Sequence, residues 1–405
     1  MKHFLNKESP NRFIKQEQFM ADGRESYIVT VSGTYYDMGL LLGRAFAPLL
    51  VQEINTSFIS LKRKITLFLN KREAFEQELD HAVRAFMPQI PLACKEEIMG
   101  IYDGCAEAGH PLTEPLILEK FLVMIELGEQ ECTLFATQPP FTEGHTYQLR
   151  DLDYYKNVNM SYIPMVTVRI PQDETGKPVE NAYAAFDFLP NITGGVTTGI
   201  NEQGVVFSQS RGPFLKRFSF EGMPIKNLIQ QILSKTNTAA EAVSYIRQHV
   251  PATAHFVIIS DPLQKKESLQ LVFMGPDFVN TYEYDACPDL SLVLYDDPKL
   301  RFYEPLEGMI YWTDMVGRKV NNIPEEFIMP DLHQLLQEEK QQFSIETGLN
   351  IARRVGNDIT FLSALFDSTT LEAWVAFATR KTPAHNNSFL HFDLKKYFSY
   401  KNDLL

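Results

Sequence analysis

Residues 132–153 read CTLFATQPPFTEGHTYQLRDLD, and this stretch decides how the chain folds. Both ends are rich in Thr, Leu, Tyr and Phe, as strands are, and the middle, PPFTEG, favours a turn. We therefore predict an antiparallel hairpin whose midpoint falls between Thr142 and Glu143. A simple hairpin of this kind sets Cys132 opposite Asp153, where directly opposed Cβ atoms lie about 5 Å apart.

The chain before this hairpin has a different character. Residues 1–25 are polar and are expected to be poorly ordered, and 26–33 alternate like a strand. From Tyr35 to about Met87, and again up to Gly128, apolar residues recur every three to four positions, which predicts helices.

Strand patterns dominate after Cys132 and are interrupted by a helical block. The stretch GGVTTGINEQGVVFSQS is a hairpin with its turn at 201–204, and helical patterns follow at about 223–234 and 238–249. Strands return in HFVIISD and SLQLVFMG, and FLSALFDSTTLEAWVAFAT forms a last hairpin. Blocks of strands around a helical block favour an α+β layered body over alternating βαβ units.

Composition excludes several classes of function. The chain has 405 residues and a formal net charge of −13, so it is a poor binder of nucleic acid, which needs clustered Lys and Arg. No run of about 20 apolar residues predicts a membrane span. The N-terminus has no apolar signal core, which predicts a cytoplasmic protein, with signal-independent export left open.

The four cysteines, Cys94, Cys105, Cys132 and Cys287, form no C-x-x-C pair and no zinc spacing with histidine. A long chain with so few cysteines is expected to hold them as free thiols in a reducing compartment. Three of the four are expected in the core, where most cysteines lie. The residues imply neither a metal nor an organic cofactor.

Cys132 differs from the other three because of its predicted neighbours. A thiol with a pKa of about 8.5 needs a base, and a free α-amino group, with a pKa of about 8, can serve if Cys132 is an N-terminus. Asp153 could orient that ammonium group, and Arg150 could stabilise a thiolate or bind a substrate carboxylate. Strict alternation puts Arg150 and Asp153 on opposite faces, so a bulge or a strand end is required for both to reach Cys132.

The arrangement C-T-x-F-A … R-D-L-D-Y resembles the isopenicillin N acyltransferase (acyl-CoA:6-aminopenicillanate acyltransferase) family of cysteine N-terminal-nucleophile (Ntn) hydrolases. VSGTYYDMGLLLGRAF, GIYDGCAEAG, GGVTTGINEQGVVFS, HFVIISD and the final hairpin resemble further motifs of this family, in its order, over roughly residues 31–395. Arg150 matches the arginine of R-x-x-D in the related bile-salt hydrolases and penicillin V acylases.

The resemblance implies a four-layer αββα Ntn-hydrolase sandwich and self-cleavage between Glu131 and Cys132. Residues 1–131 would form a mainly helical N-terminal segment (the pro or α chain), and 132–405 the core (the β chain). Cys132 would attack a linear amide or thioester of a small molecule, giving an acyl-enzyme that water or an amine resolves. Asp153 would orient the nucleophile's amine, and Thr133, beside it in the C-T motif, is a candidate substrate-binding residue. A homodimer of the cleaved protein is compatible with the family.

Three positions depart from the family pattern. Glu131 stands where the family has Gly. Glycine permits the strained backbone that an N-to-S acyl shift requires. His255 stands where an oxyanion-hole Asn is expected; it is either an oxyanion donor or a satisfied core histidine. Arg211 stands where the bile-salt branch has Asn; it either contacts an anionic substrate group or is a solvated loop arginine.

Two other functions compete with the Ntn-hydrolase interpretation. Cys132 and His255 could form a papain-like pair, although papain-type cysteines open a helix, and CTLFATQ has a strand pattern. Alternatively, Glu131 and His255 could mark a relative that has lost catalysis and serves as a binding or interaction module. Neither the substrate nor the choice between hydrolase and transferase can be read from the residues.

Overall fold

The computed structural model describes residues 2–9, 12–69, 72–127, 131–153, 163–189, 191, 195–211, 218–282, 309–313, 335–336, 338 and 342–404. Within them, two β-sheets pack face to face and helices cover both outer surfaces. No helix in these ranges is both long and apolar enough to cross a membrane.

The first sheet contains ten described strands in the order β1-β2-β3-β6-β7-β8-β9-β10-β11-β12. Their bounds are β1 Lys2–Ser9, β2 Arg12–Ala21, β3 Arg24–Gly33, β6 Pro164–Pro171, β7 Tyr183–Phe188, β8 Gly199–Asn201, β9 Val206–Arg211, β10 His255–Ser260, β11 Leu269–Gly275 and β12 Phe278–Tyr282. Pairing is antiparallel except between β3 and β6, which run parallel.

The second sheet contains six described strands in the order β13-β4-β5-β14-β15-β16, all antiparallel. Their bounds are β4 Glu131–Thr137, β5 Tyr147–Asp153, β13 Met309–Thr313, β14 Thr360–Asp367, β15 Glu372–Phe377 and β16 Leu390–Asp393. The predicted hairpin at 132–153 is therefore confirmed as β4 and β5, inside this sheet.

The described chain includes the α-helices α1 Tyr35–Leu69, α2 Arg72–Phe86, α3 Leu92–Glu107, α4 Ile117–Leu127, α5 Ile225–Lys235, α6 Ala239–Gln248, α7 Ile345–Val355 and α8 Leu394–Phe398. Helices α5 and α6 pack on the outer face of the first sheet, against residues such as Phe207 and Val257. Helix α7 packs on the outer face of the second sheet, against Phe135 and Leu149.

The predicted α+β class and αββα layering are thus confirmed. The two inner faces share one large core, which includes Leu134, Leu152 and Phe256. A buried glutamine links the sheets: Gln148 on β5 donates to Ser208 Oγ on β9 at 2.8 Å and to the Ile258 carbonyl on β10 at 3.0 Å. Every polar atom buried between the sheets needs such a partner, because none is available from solvent.

The N-terminal third contributes to the sheet as well as to the helices. Residues 2–21, where no element was expected, form β1 and β2, and β3 joins them to β6 in the middle of the first sheet. Strands β1–β3 therefore belong to the same sheet as β6–β12. Polar side chains form strands here because β2 pairs along its length with β3, whose residues from Ser26 onward are buried.

Helices α1 and α3 lie unusually close to each other. A Cβ atom added to Gly39 would lie 2.1 Å from the Glu97 carbonyl oxygen, and one added to Gly100 would lie 2.1 Å from the Tyr36 oxygen. Glycine at these positions allows the two backbones to touch. The close packing holds α3 against the outer face of the first sheet, where Glu97 meets Arg169 of β6.

Candidate active site

The β4–β5 register differs by one residue from the prediction. Glu131, not Cys132, lies opposite Asp153, and Cys132 lies opposite Leu152. The reason is the buried inner face, since a slip by one residue would turn a whole strand over. Leu134 and Leu152 must both face the other sheet, and this requirement places Cys132 and Arg150 on the same inner face.

Cys132 lies beside a buried arginine. Its side chain has 0% exposure, and Arg150 Nη2 donates to Cys132 Sγ over 3.5 Å. Arg150 is also fully buried, and its Nη1 donates to the Thr197 carbonyl oxygen and to Thr198 Oγ1. Each of these acceptors is formally neutral, and no salt bridge to Arg150 occurs within the described residues. A buried guanidinium without a paired carboxylate favours an anion in its surroundings.

Asp153 lies at the end of β5, next to the Glu131–Cys132 peptide. It is 1% exposed, and Asn357 Nδ2 donates to its Oδ2. Its Oδ1 has no hydrogen-bond partner among the residues described. Burial raises the pKa of Asp153 to about 7, against the opposing effects of Thr360, Asn357 and the Arg150 charge.

The β4–β5 pairing contains no bulge, and the nearest irregularity lies on the neighbouring strand. The pairing of β14 with β5 shifts register between Thr360 and Leu362, directly beside Asp153. Strand β5 itself alternates regularly, so Asp153 leaves the strand on the face opposite to Arg150. Its position at the strand end is what keeps the carboxylate close to residue 131 of β4.

A second buried carboxyl group lies beside Asp153, and the sequence analysis did not single it out. Asp151 is 1% exposed, lies opposite Thr133 and accepts a hydrogen bond from Ser363 Oγ. Burial raises the pKa of Asp151 well above its usual value, and the nearby Asp153 raises it further. Thr133 is buried on the same side of the hairpin as Asp151. The only signal in the sequence was its place in R-D-L-D.

His255 and Arg211 lie directly opposite each other on β10 and β9. Alternation places both on the outer face of the first sheet, together with Gln209, because Phe256 and Ser208 face inward. His255 Nδ1 lies 3.0 Å from Gln209 Oε1, and Arg211 Nη1 donates to the Glu126 carbonyl at 2.6 Å. The structure thus joins these two residues to the end of α4.

Both ring nitrogens of His255 are engaged away from Cys132. Nε2 lies 2.7 Å from Thr253 Oγ1, which in turn donates to Glu126 Oε1 at 2.6 Å. Burial, with the positive charges of Arg211 and Arg150, holds the pKa of His255 well below its usual value, so the ring is neutral. His255 makes no hydrogen bond to Cys132, and Cys132 opens a strand, so the structure does not form a papain-like Cys–His pair.

The other described cysteines lie in the core, as expected. Burial raises the pKa of Cys94 to about 12 and that of Cys105 to about 11, and both are free thiols. Cys287 lies outside the described residues. No cluster of three potential metal ligands occurs in the described part of the chain.

Comparison with known proteins gives solved structures only. No protein-family model matches the chain, and no curated protein matches it. A mutant of conjugated bile acid hydrolase from Clostridium perfringens matches with 13% identity and a TM-score of 0.42, over 65% of this chain and 93% of that one. Penicillin V acylase from Agrobacterium tumefaciens matches with 12% identity and a TM-score of 0.39, over 65% and 87%.

Proposed function

We propose that this chain is a self-processing cysteine Ntn hydrolase, which cleaves linear amide or thioester bonds of small acyl compounds through an acyl-enzyme at Cys132. The observation that carries the proposal is the contact between Cys132 Sγ and the buried Arg150 guanidinium, which has no paired carboxylate in the described chain. A thiolate at Cys132 would supply the missing negative charge. Cys94, the comparable buried thiol, lies beside an arginine that already has a carboxylate partner.

Maturation would begin with attack of Cys132 Sγ on the Glu131 carbonyl carbon. The C–N bond of the Glu131–Cys132 peptide breaks as the acyl group moves to sulfur, and the nitrogen gains a proton to become a free amine. Water then hydrolyses the thioester and releases Glu131 as a carboxylate. The backbone of Glu131 belongs to the first residue of β4, opposite Asp153, so the new amine forms next to that carboxylate.

Asp153 would hold the new amino group. Its Oδ1, which has no partner in the described chain, would accept a charge-assisted hydrogen bond from the Cys132 ammonium. An ammonium group next to Asp153 would favour its charged form, and the amine in its neutral form can take the thiol proton. Burial of an acceptor without a partner costs about 1–3 kcal/mol, which cleavage would recover.

In the catalytic cycle, the Cys132 thiolate would add to the substrate carbonyl carbon. The negative charge would then move from sulfur to the carbonyl oxygen, and the ion pair between the thiolate and Arg150 would be lost. The leaving amine would take the proton from the Cys132 ammonium as the C–N bond breaks, leaving a thioester. Water would attack that thioester and regenerate the thiol. An amine in place of water would give acyl transfer.

The scheme gives no catalytic role to three other candidate residues, His255, Arg211 and Thr133. Their side chains lie on the faces of their strands that point away from the space between the sheets. An oxyanion role for His255 would require it to exchange Thr253 or Gln209 for the substrate. Asp153 also faces outward, but it lies opposite residue 131, beside the peptide bond to be cleaved. We assign catalysis to Cys132 and Asp153, with Arg150 as the residue that stabilises the thiolate.

The test is the intact mass of the purified protein during incubation. We expect conversion to two chains, residues 1–131 and 132–405, and we expect thioester and N-acyl amide substrates to be hydrolysed only after conversion. Cys132→Ala should remain one chain of 46.4 kDa. Cys94→Ala, which removes a buried thiol outside the site, should be cleaved as the wild type is.

Two results would decide against the proposal. A wild-type chain that stays intact on prolonged incubation and does not turn over any acyl substrate would indicate a binding module. Activity that survives chemical blocking of the Cys132 α-amine after cleavage would show that the amine is not the base.

A further inference from the structure

A chain of hydrogen bonds leads from Cys132 through the core to the other side of the first sheet. Arg150 Nη1 donates to the carbonyl oxygen of Thr197 and to the hydroxyl of Thr198. The hydroxyl of Thr197 in turn donates to Asp187 Oδ2. Asp187, the next residue of β7 after the inward-facing Phe186, is 2% exposed.

Asp187 is itself held by several fixed donors. Its Oδ1 accepts from the Phe188 backbone N–H at 2.8 Å and from Asn191 Nδ2 at 3.0 Å. Lys226 Nζ donates to the Asn191 carbonyl, and the charge of Asp187 partly offsets the burial that lowers the pKa of Lys226 to about 8. The carboxylate is therefore a rigid acceptor, and the Thr197 hydroxyl has a fixed place to donate.

The segment between these groups has few other constraints on its position. The Thr198 carbonyl accepts from the Phe186 N–H at 3.0 Å, and the Val196 N–H donates to the Lys226 carbonyl at 3.0 Å. Thr197 lies between these two anchors, and among the described residues its hydroxyl bonds to Asp187. The carbonyl that receives Arg150 belongs to this same residue, so the Asp187 bond decides which way it points.

From this geometry we infer that Asp187 is a positioning residue: through Thr197 it sets where the Arg150 guanidinium lies relative to Cys132 Sγ. The inference rests on the proposed function, because it concerns the same thiolate. Asp187 touches neither the sulfur nor the guanidinium and acts only through the orientation of Thr197. Placement within a few tenths of an ångström matters because buried charges interact strongly.

The sign of the effect separates positioning from a direct charge effect. A negative carboxylate near the site disfavours a thiolate, so removing its charge alone should let the thiolate form at lower pH. Loosening Arg150 has the opposite result, because the guanidinium then stabilises the thiolate less. A variant at Asp187 in which the thiolate forms only at higher pH can therefore be explained by positioning and not by charge.

The experiment titrates the ultraviolet absorbance of the Cys132 thiolate in the full-length chain, with the signal of Cys132→Ser subtracted. Thr197→Val removes the hydroxyl at nearly constant volume and keeps the carbonyl that binds Arg150. We expect its titration midpoint to rise by about one pH unit. Thr197→Ser retains the hydroxyl and should return the midpoint toward that of the wild type.

Asp187→Asn is the second variant, and it decides the matter if Thr197→Val does not fold. A single amide oxygen cannot accept all three bonds that Asp187 accepts, so we again expect a higher midpoint. Unchanged or lower midpoints in folded variants would overturn the inference.

Arg150→Gln separates this inference from the proposed function. If Arg150→Gln raises the midpoint and Thr197→Val does not, only the positioning role fails. If Arg150→Gln itself has no effect, the inference is overturned and the thiolate-stabilising role of Arg150 fails with it.

Discussion

Two buried arginines, each near a cysteine, lie in this protein and differ in how their charges are met. Arg169, on the outer face of the first sheet, donates to Glu97 Oε1 from Nε at 3.0 Å and from Nη2 at 2.7 Å. Arg150, between the sheets, donates to a carbonyl, a hydroxyl and the sulfur of Cys132. Both guanidinium groups are buried, but within the described residues only that of Arg169 bonds a carboxylate.

The difference shows what distinguishes a structural ion pair from a site prepared for an anion. Glu97 also accepts from Gln230 Nε2 at 3.2 Å, and Gln230 accepts from Cys94 Sγ at 3.5 Å, so that cluster is neutral overall and linked by hydrogen bonds. Its thiol has a pKa raised to about 12 by burial, with the charge of Glu97 adding to the effect. At Arg150, the negative charge that would pair with the guanidinium is the Cys132 thiolate, which is the proposed nucleophile.

The largest expected difference between the two arginines concerns stability. Glu97→Gln removes the carboxylate charge that the buried Arg169 guanidinium donates to, and we expect the free energy of unfolding to fall by about 3–5 kcal/mol. Denaturant unfolding of the variant measures it, with Glu96→Gln, a half-buried neighbour on the same helix, as the control. A loss below about 1 kcal/mol would mean that the Glu97–Arg169 pair does not hold the N-terminal helices to the sheet.

The next effect is on chemistry. Arg150→Gln removes the charge beside Cys132, and we expect the rate of Glu131–Cys132 cleavage to fall on the order of 100-fold, about 3 kcal/mol in the barrier. The intact mass followed over time gives the rate. Arg150→Lys keeps a positive charge without the planar fork and should fall less. If Arg150→Gln is cleaved at the wild-type rate, the charge of Arg150 does not support the chemistry of Cys132, and Arg150 would be a structural residue as Arg169 is.

The smallest effect concerns the pH dependence of stability. Because the pKa of Asp153 is raised to about 7 from its usual 3.8, the folded chain holds a proton that the unfolded chain releases at lower pH. Its contribution to the free energy of unfolding therefore falls as pH rises from about 4 to about 7. In the uncleaved Cys132→Ala chain, adding Asp153→Asn should reduce the fall between pH 5 and pH 7 by about 2 kcal/mol.

Denaturant unfolding at several pH values tests this expectation. Asp367→Asn, a change at another buried carboxylate of the same sheet, serves as the comparison for the loss of a buried charge. If the free energy of unfolding changes equally with pH in both chains, Asp153 is already ionised in the uncleaved chain. Its carboxylate would then be charged before cleavage creates the ammonium group beside it.

Local patterns predicted much of the fold. Period-two alternation and turn residues located β4, β5, β9, β14 and β15, and the helical spacing located α1, α3 and α5. The strand character of CTLFATQ also separated Cys132 from the helix-opening cysteines of papain-like enzymes. These features depend on neighbours within a few residues, so one sequence is enough to show them.

The site itself depended on contacts between distant segments. The β4–β5 register brings Arg150, and not Asp153, to the inner face beside Cys132. Packing against the other sheet determines this register. Thr197 lies within the GGVTTGINEQGVVFS stretch, but its contact with Arg150 could not be predicted, because it joins segments of the two facing sheets. The sequence by itself predicted many of the strands and helices, though not β1 and β2, and it singled out the candidate nucleophile. Tertiary structure decided which faces are buried, and with them the charges that each side chain meets, because burial and long-range electrostatics arise only once the layers have packed.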